Sequence, residues 1–362
     1  MEDIVLVSKT VSRKYIYGIC EVTIDSLNNE YDAYVAQYLK LNCFIESYDE
    51  NIDVQFRFHA ILDAESQKRK YGFEDSKFKR QVKIHNKTKY EDEKYANYYE
   101  DKSIIYYHNI KLNTYVRYNK TDNTIIILGN EENTAIQILD LMREQIVQKT
   151  IESNGLFYLK CAAFTYNEFS KNTCLLIGGQ GSGKTSILLN ILQRNIEYQY
   201  VCNSAAYLQL KKEVELLAWR PHMRIRAGTA YQFPILRSQM GSEFFEDNRI
   251  LDKYISEDAI FLKTYDEFHS VFPNKHCEFG IPKIVFLINE TKDNWCSHLR
   301  CGYDLAHPDF LGLEQSYVYS SDYRLKYNQI KQALMNQCQF IKLHFDFNNI
   351  DSIINQMRGY LI

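Results

Sequence analysis

The chain has little Gly or Pro and no long apolar run. Of its 362 residues only 14 are Gly and 5 are Pro, which excludes a low-complexity or collagen-like chain. No window approaches the roughly 18 uninterrupted apolar residues of a membrane-spanning helix. The first residues, MEDIVLVSKTVSRKYIYGIC, lack a basic start followed by an apolar segment of leader length. Neither sign of charge dominates: 43 Lys and Arg stand against 46 Asp and Glu, a net charge of −3. No global field favours nucleic acid or an anionic membrane, so neither is expected as a partner. The nine cysteines form no CxxC pair and are odd in number, which reads as the reduced thiols of a cytoplasmic chain. His276, Cys277, Cys296, His298 and Cys301 could supply zinc donors, but their spacing matches no common site, and free or buried thiols are the expectation.

What is present is a folded chain, 45% hydrophobic, with 29 tyrosines, long enough for about two domains. Residues 1–132 read as a β-rich domain of short strands, among them KYIYGICEVTI, DVQFRFHAIL, SIIYYHNIKL, NTYVRYN and TIIILG. The KTDN between the last two predicts a hairpin. Across 66–101 the pattern dissolves into a basic run (Lys68 to Lys89) and an acidic one (Glu91, Asp92, Glu93). That predicts a solvated, partly mobile charged insertion, with a docking segment for a charged partner as the alternative. The aromatics of the front domain read as sheet and core packing, with strand addition by an extended peptide as the alternative. Residues 133–362 read as an α/β domain. A helix capped by Asn133 or Thr134 runs to Ser153, and strand and helix patterns then alternate to the end.

Within that second part lies CLLIGGQGSGKTSILLNIL, Cys174 to Leu192. Gly178, Gly183, Lys184 and Thr185 fit G-x-x-x-x-G-K-[ST], the P-loop or Walker A pattern, with an apolar strand before it and an apolar-periodic helix after it. Glycines let backbone N–H groups turn inward around phosphate, and the helix adds its positive end. The expected cradle is Gly178, Gly179, Gln180, Gly181, Ser182, Gly183, Lys184, Thr185 and Ser186, holding ATP or GTP. Lys184 would reach the β- and γ-phosphates, and the Thr185 hydroxyl would take a position on Mg²⁺. No LSGGQ segment is present, which argues against an ABC-type ATPase. Asn289 to Asp293 is one residue too long for the guanine motif NKxD. KIVFLINE ends in a lone Glu290, the carboxylate available beyond the second apolar strand.

Position and flanks resemble the HPr kinase-like P-loop phosphotransferases, including the standalone members associated with ribosomal-peptide maturation. In that family a strand ending in His-Ala-Ala precedes the P-loop, and YLKCAAFTYN stands there in this chain. A strand ending in Asp-Asp follows the P-loop helix in the family, and EYQYVCNSAAYLQL fills the slot. WRPHMRIRAGT matches the next short basic strand, and YSSDYRLKYNQI the family's Tyr-Arg-Leu segment. The resemblance covers roughly residues 150 to 360. It implies an HPr kinase C-terminal-like P-loop domain behind a smaller β-rich domain, acting on a Ser or Thr hydroxyl of a peptide, protein or small molecule.

The departures fall on the chemistry the resemblance implies. Asn203 and Ser204 replace the Asp pair that contacts metal and takes the acceptor's proton, which leaves Ser204 as a metal contact. Lys160 replaces the His. An amide cannot take a proton at neutral pH. Three readings therefore stand: a phosphotransferase in which Lys184 and Glu290 carry catalysis, a nucleotide-binding pseudokinase serving as a partner or chaperone, and a P-loop NTPase switch. Arg220, Arg224 and Arg226 alternate along RPHMRIR, as a solvated strand face or as contacts to substrate phosphate.

Overall fold

The computed structural model describes residues 11–17, 20–26, 33, 54–62, 67–85, 94–143, 146–203, 205–218, 223–238, 260–263, 272, 274–299 and 321–361. The protein is mixed α/β, mostly strands, with two large sheets. It folds as two compact units, Met1–Asn154 with Gly302–Arg324, and Gly155–Cys301 with Leu325–Ile362.

The first unit holds β1 (Val11–Tyr17), β2 (Cys20–Ser26), β3 (Val54–Leu62), β4 (Arg80–His85), β5 (Lys94–Asp101), β6 (Ile104–Asn109), β7 (Thr114–Asn119) and β8 (Thr124–Gly129). They form one sheet in the order β1-β2-β3-β8-β7-β6-β5-β4, with β2, β3 and β8 parallel and β4 to β8 antiparallel. The β7–β8 hairpin forms where KTDN predicts it. Asn119 Oδ1 accepts from Thr121 N at 3.1 Å and Asp122 Oδ1 from Thr124 N at 2.9 Å, the side-chain-to-backbone bonds that make Asn and Asp turn residues.

The segment from 67 onward differs from the solvated insertion its charges suggest. Tyr71 and Phe73 are buried, and Phe73 stands edge-on to Tyr106 and Tyr115 at centroid distances of 5.5 and 5.6 Å. Lys68 lies 4.0 Å over the Tyr115 ring, a cation–π placement that keeps a basic residue on an aromatic face. β4 and β5 complete the sheet edge. The acidic run at Glu91, Asp92 and Glu93 lies outside the described residues.

The helix expected up to Ser153 is seen as α1 (Glu131–Arg143) and α2 (Ile146–Ser153), with residues 144 and 145 outside the described residues. The start moves ahead of Asn133 because Asn130 is the capping side chain, accepting from Asn133 N at 2.8 Å, with Glu131 and Glu132 favourably placed in the first turn. On α1, buried Gln137 accepts from Asn109 Nδ2 and Thr114 Oγ1 and donates to the Tyr107 hydroxyl, all at 2.8–2.9 Å. That satisfies a polar group the core would otherwise penalise. Both helices belong to the first unit, so the division falls after Asn154, where the sequence pattern predicts it after residue 132.

The second unit holds β9 (Leu156–Leu159), β10 (Ala162–Asn167), β11 (Asn172–Ile177), α3 (Lys184–Arg194), β12 (Gln199–Cys202), β13 (Ala206–Leu210), β14 (Val214–Ala218), β15 (Met223–Arg226), α4 (Ala227–Gln232), α5 (Pro234–Arg237), β16 (Ile260–Lys263), β17 (Phe279–Ile288), α6 (Ser321–Gln337, from Leu325), β18 (Gln339–Leu343) and α7 (Ile350–Arg358). Its sheet runs β12-β10-β11-β17-β14-β13-β9, with β18 also on β17. β17 is parallel to both β11 and β18, while β10 is antiparallel to β11 and to β12. Hence β11, β12, β17 and β18 end at one edge. The apolar face of α3 (Ile187, Leu188, Ile191, Leu192) packs with Phe164, Leu176 and Phe286 of the sheet and Ile353, Ile354 and Met357 of α7. Each such side chain contributes about 1.5–3 kcal/mol when fully buried, and the packing holds the start of α3 against the end of β11.

Candidate functional site at the ends of the parallel strands

The end of β11 is buried on both faces, then the chain turns through glycines. A Cβ at Gly178 would lie 2.6 Å from the Ile288 carbonyl oxygen and 2.6 Å from Ser182 Oγ. Gly183, the residue before α3, has φ +94°, and a side chain there would also run into the Phe345 ring. Only glycine fits both demands. Lys184 Nζ donates to the carbonyls of Gly178 and Gly179 at 2.5 and 2.8 Å, with Ser182 Oγ at 3.5 Å. Its ammonium thus lies across the loop, beside the first turn of α3. Gln180 and Gly181 are exposed, and Thr185 is half-buried at the helix start. Ser186 is turned elsewhere: its buried hydroxyl shares a 3.1 Å bond with Thr229 Oγ1 of α4.

Beyond β17 the chain reverses through Asn289, at φ +55°. The Asn289 backbone N donates to Leu343 O at 2.9 Å. Its side chain accepts from Phe345 N at 3.0 Å and donates to Phe345 O at 3.3 Å. The asparagine of the near-miss guanine motif is therefore a clamp between the ends of β17 and β18. The clamp sets the next residue, Glu290, against the loop: its Oε1 is 3.7 Å from where a Cβ of Gly179 would stand.

A short 3-10 turn, Trp295–His298, brings back a residue that the sequence marks only as a zinc donor. Trp295 is fully buried and anchors the turn. His298 Nε2 then lies 3.4 Å from Glu290 Oε1, and the two side chains are 11% and 22% exposed. Burial holds the imidazole below its usual value of 6.5. The Glu290 charge opposes this, and the charges of Lys184 and Lys160 reinforce it. No spacing rule links a glutamate at a strand end to a histidine eight residues later, so nothing in the sequence pairs them.

Lys160 and Asn203 come to the same edge. Lys160 N donates to His298 O at 2.9 Å. Ala162 is level with Leu176, and Ala163 with Cys202, so the residues before β10 and after β12 flank the end of β11. Cys161 Sγ and Cys202 Sγ are 3.8 Å apart and buried. Asn203 is 4% exposed. Ser204 and Arg220 lie outside the described residues. Arg224 and Arg226 are on β15, level with Leu262 and Ile260.

Of the zinc donors, Cys277 Sγ donates to Phe279 O at 2.8 Å, and Cys301 lies outside the described residues. Among the described residues no three His, Cys, Asp or Glu side chains group as metal donors. A cleft of about 230 Å³ lined by Leu192, Ile196, Pro234, Ile235 and Phe272 sits at the other end of α3, away from these polar groups. No family model matches the chain, and no curated protein matches its sequence.

Proposed function

We propose that the second unit is a P-loop nucleotide-binding domain and that the protein transfers the γ-phosphoryl group of ATP or GTP to a hydroxyl of a peptide, protein or small molecule, as the HPr kinase-like resemblance implies. One observation carries this reading: the strand–glycine loop–helix of β11 and α3 with Lys184 lying over the loop. Free backbone N–H groups of a glycine loop would turn to phosphate, and the start of an eleven-residue helix adds its positive end. Lys184 would exchange the two loop carbonyls for phosphate oxygens. Thr185, and Ser204 by the resemblance, offer hydroxyl oxygens, the donor class of a hard ion such as Mg²⁺. When bound, the ion neutralises charge on the phosphates. Glu290, bordering the loop, supplies a carboxylate where Asn203 and Ser204 have none.

A second reading, a pseudokinase in which nucleotide orders the chain for a partner, is favoured by Asn203, whose amide cannot serve as a base. Both readings require the loop to bind nucleotide. Ligand at about 100 times its Kd should stabilise the folded chain by about 2.7 kcal/mol. The unfolding midpoint should therefore rise with MgATP or MgGTP in the wild type and stay fixed in Lys184→Ala. Equal rises in both proteins would refute the assignment of the loop.

A further inference from the structure

Resting on the glycine loop as the nucleotide site, we infer that Glu290 and His298 form a proton-accepting pair: Glu290 takes the proton of the acceptor hydroxyl, and His298 is the positioning residue that aims it. Three observations on separate elements meet here. The Asn289 clamp sets Glu290 against Gly179. The buried Trp295 turn carries His298 to Glu290 Oε1. The backbone bond from Lys160 N to His298 O ties that turn to the start of β10. His298 Nε2 is buried without a settled hydrogen bond. A buried nitrogen in that condition calls for a reason, and 3.4 Å is a distance that tightens when a reacting complex closes.

The chemistry divides between the two side chains. The acceptor oxygen bonds to the γ-phosphorus, and the bond from that phosphorus to the β,γ-bridging oxygen breaks. The bridging oxygen leaves with its electron pair on the nucleoside diphosphate. The acceptor's proton passes to the Glu290 oxygen that does not face His298, while His298 Nε2–H donates to Oε1 and fixes the carboxylate. A neutral imidazole does this without weakening the base; an imidazolium would pair with Glu290 and lower its basicity. Among the described residues, the charged groups facing His298 are Glu290, Lys184 and Lys160. Burial and the two ammonium groups outweigh Glu290 and favour the neutral imidazole.

The test uses the full chain with MgATP and MgGTP, water as acceptor, calorimetry for binding and released inorganic phosphate for turnover, across about pH 5 to 8. Glu290→Gln should bind nucleotide and lose about 10²–10⁴-fold in kcat. His298→Ala should lose about 10²-fold in kcat at unchanged KM, the usual cost of a misplaced group. His298→Gln keeps an N–H donor that cannot ionise. It should recover part of that loss, with the acid limb of its pH profile moved to lower pH than in the wild type. A structural role alone would leave that limb in place. Wild-type chain that binds nucleotide but releases no phosphate overturns the pair and leaves the loop reading intact, as does His298→Gln with an unmoved acid limb. Wild-type chain that binds no nucleotide overturns the loop reading, and the pair with it.

Discussion

At the scale of single residues, the positions that matter are those where two demands meet. Gly183 must be left-handed and must also clear Phe345, so its place in the G-K-T pattern is legible in advance. Glu290 is legible too, as the carboxylate closing an apolar strand. His298 is not: its partner depends on a backbone reversal at Asn289, and propensity does not encode where a reversal aims the next side chain. The same holds for Asp25 in the first unit, which accepts from Ser12 Oγ, from Arg57 Nε at 2.6 Å and pairs with His59 Nδ1 at 3.1 Å. Burial alone would raise its carboxyl, but the bonds from His59, Arg57 and Ser12 hold it well below its ordinary 3.8. A folded value below the unfolded one stabilises the fold above the unfolded value, and the stabilisation fades as pH falls through it. Asp25→Asn should therefore cost about 1.5–3 kcal/mol near neutral pH, and the gap to wild type should narrow below about pH 4. Urea unfolding curves across pH measure this. A gap constant across that range would exclude the carboxylate as its source.

At the scale of elements, periodicity finds those that bury one face and misses those that share the work. β11 and α3 announce themselves because an apolar run ends in glycine and resumes at helical spacing. The β7–β8 hairpin follows from Asn and Asp at its turn. β4 and β5 are obscured by lysines, since a strand edge with charged outer positions resembles a solvated loop in composition. The charged stretch still carries core: Phe73, ahead of β4, packs on Tyr106 and Tyr115, and Tyr99 of β5 stacks on Tyr106 at 4.5 Å. Phe73→Ala should accordingly cost about 3–5 kcal/mol in denaturant unfolding. A loss under about 0.5 kcal/mol is what a solvated insertion would give, and would show that the 67–85 segment is not part of the first unit's core.

At the scale of the whole molecule, two sheets serve different ends. In the first unit a broad sheet packs α1 against β3, β7 and β8. In the second, four strands end together at one edge, the arrangement in which open α/β sheets place ligands. Glycine loop, Glu290, His298, Lys160 and Asn203 all belong to that edge, although they come from five separate stretches of chain. Four of those stretches stand out in the sequence, through the resemblance, the motif and the apolar strand that Glu290 follows; their meeting follows from strand order, which no local pattern contains. The central claim is that this edge binds nucleotide through the loop. Calorimetric titration of MgATP and MgGTP into the wild-type chain and Lys184→Ala tests it most directly. The account predicts saturable binding of at least one nucleotide to the wild type and an affinity at least about tenfold weaker in Lys184→Ala, the cost of losing a charged hydrogen-bond partner of phosphate. Equal heats and equal affinities in the two proteins, or no heat from either nucleotide with the wild type, would contradict it.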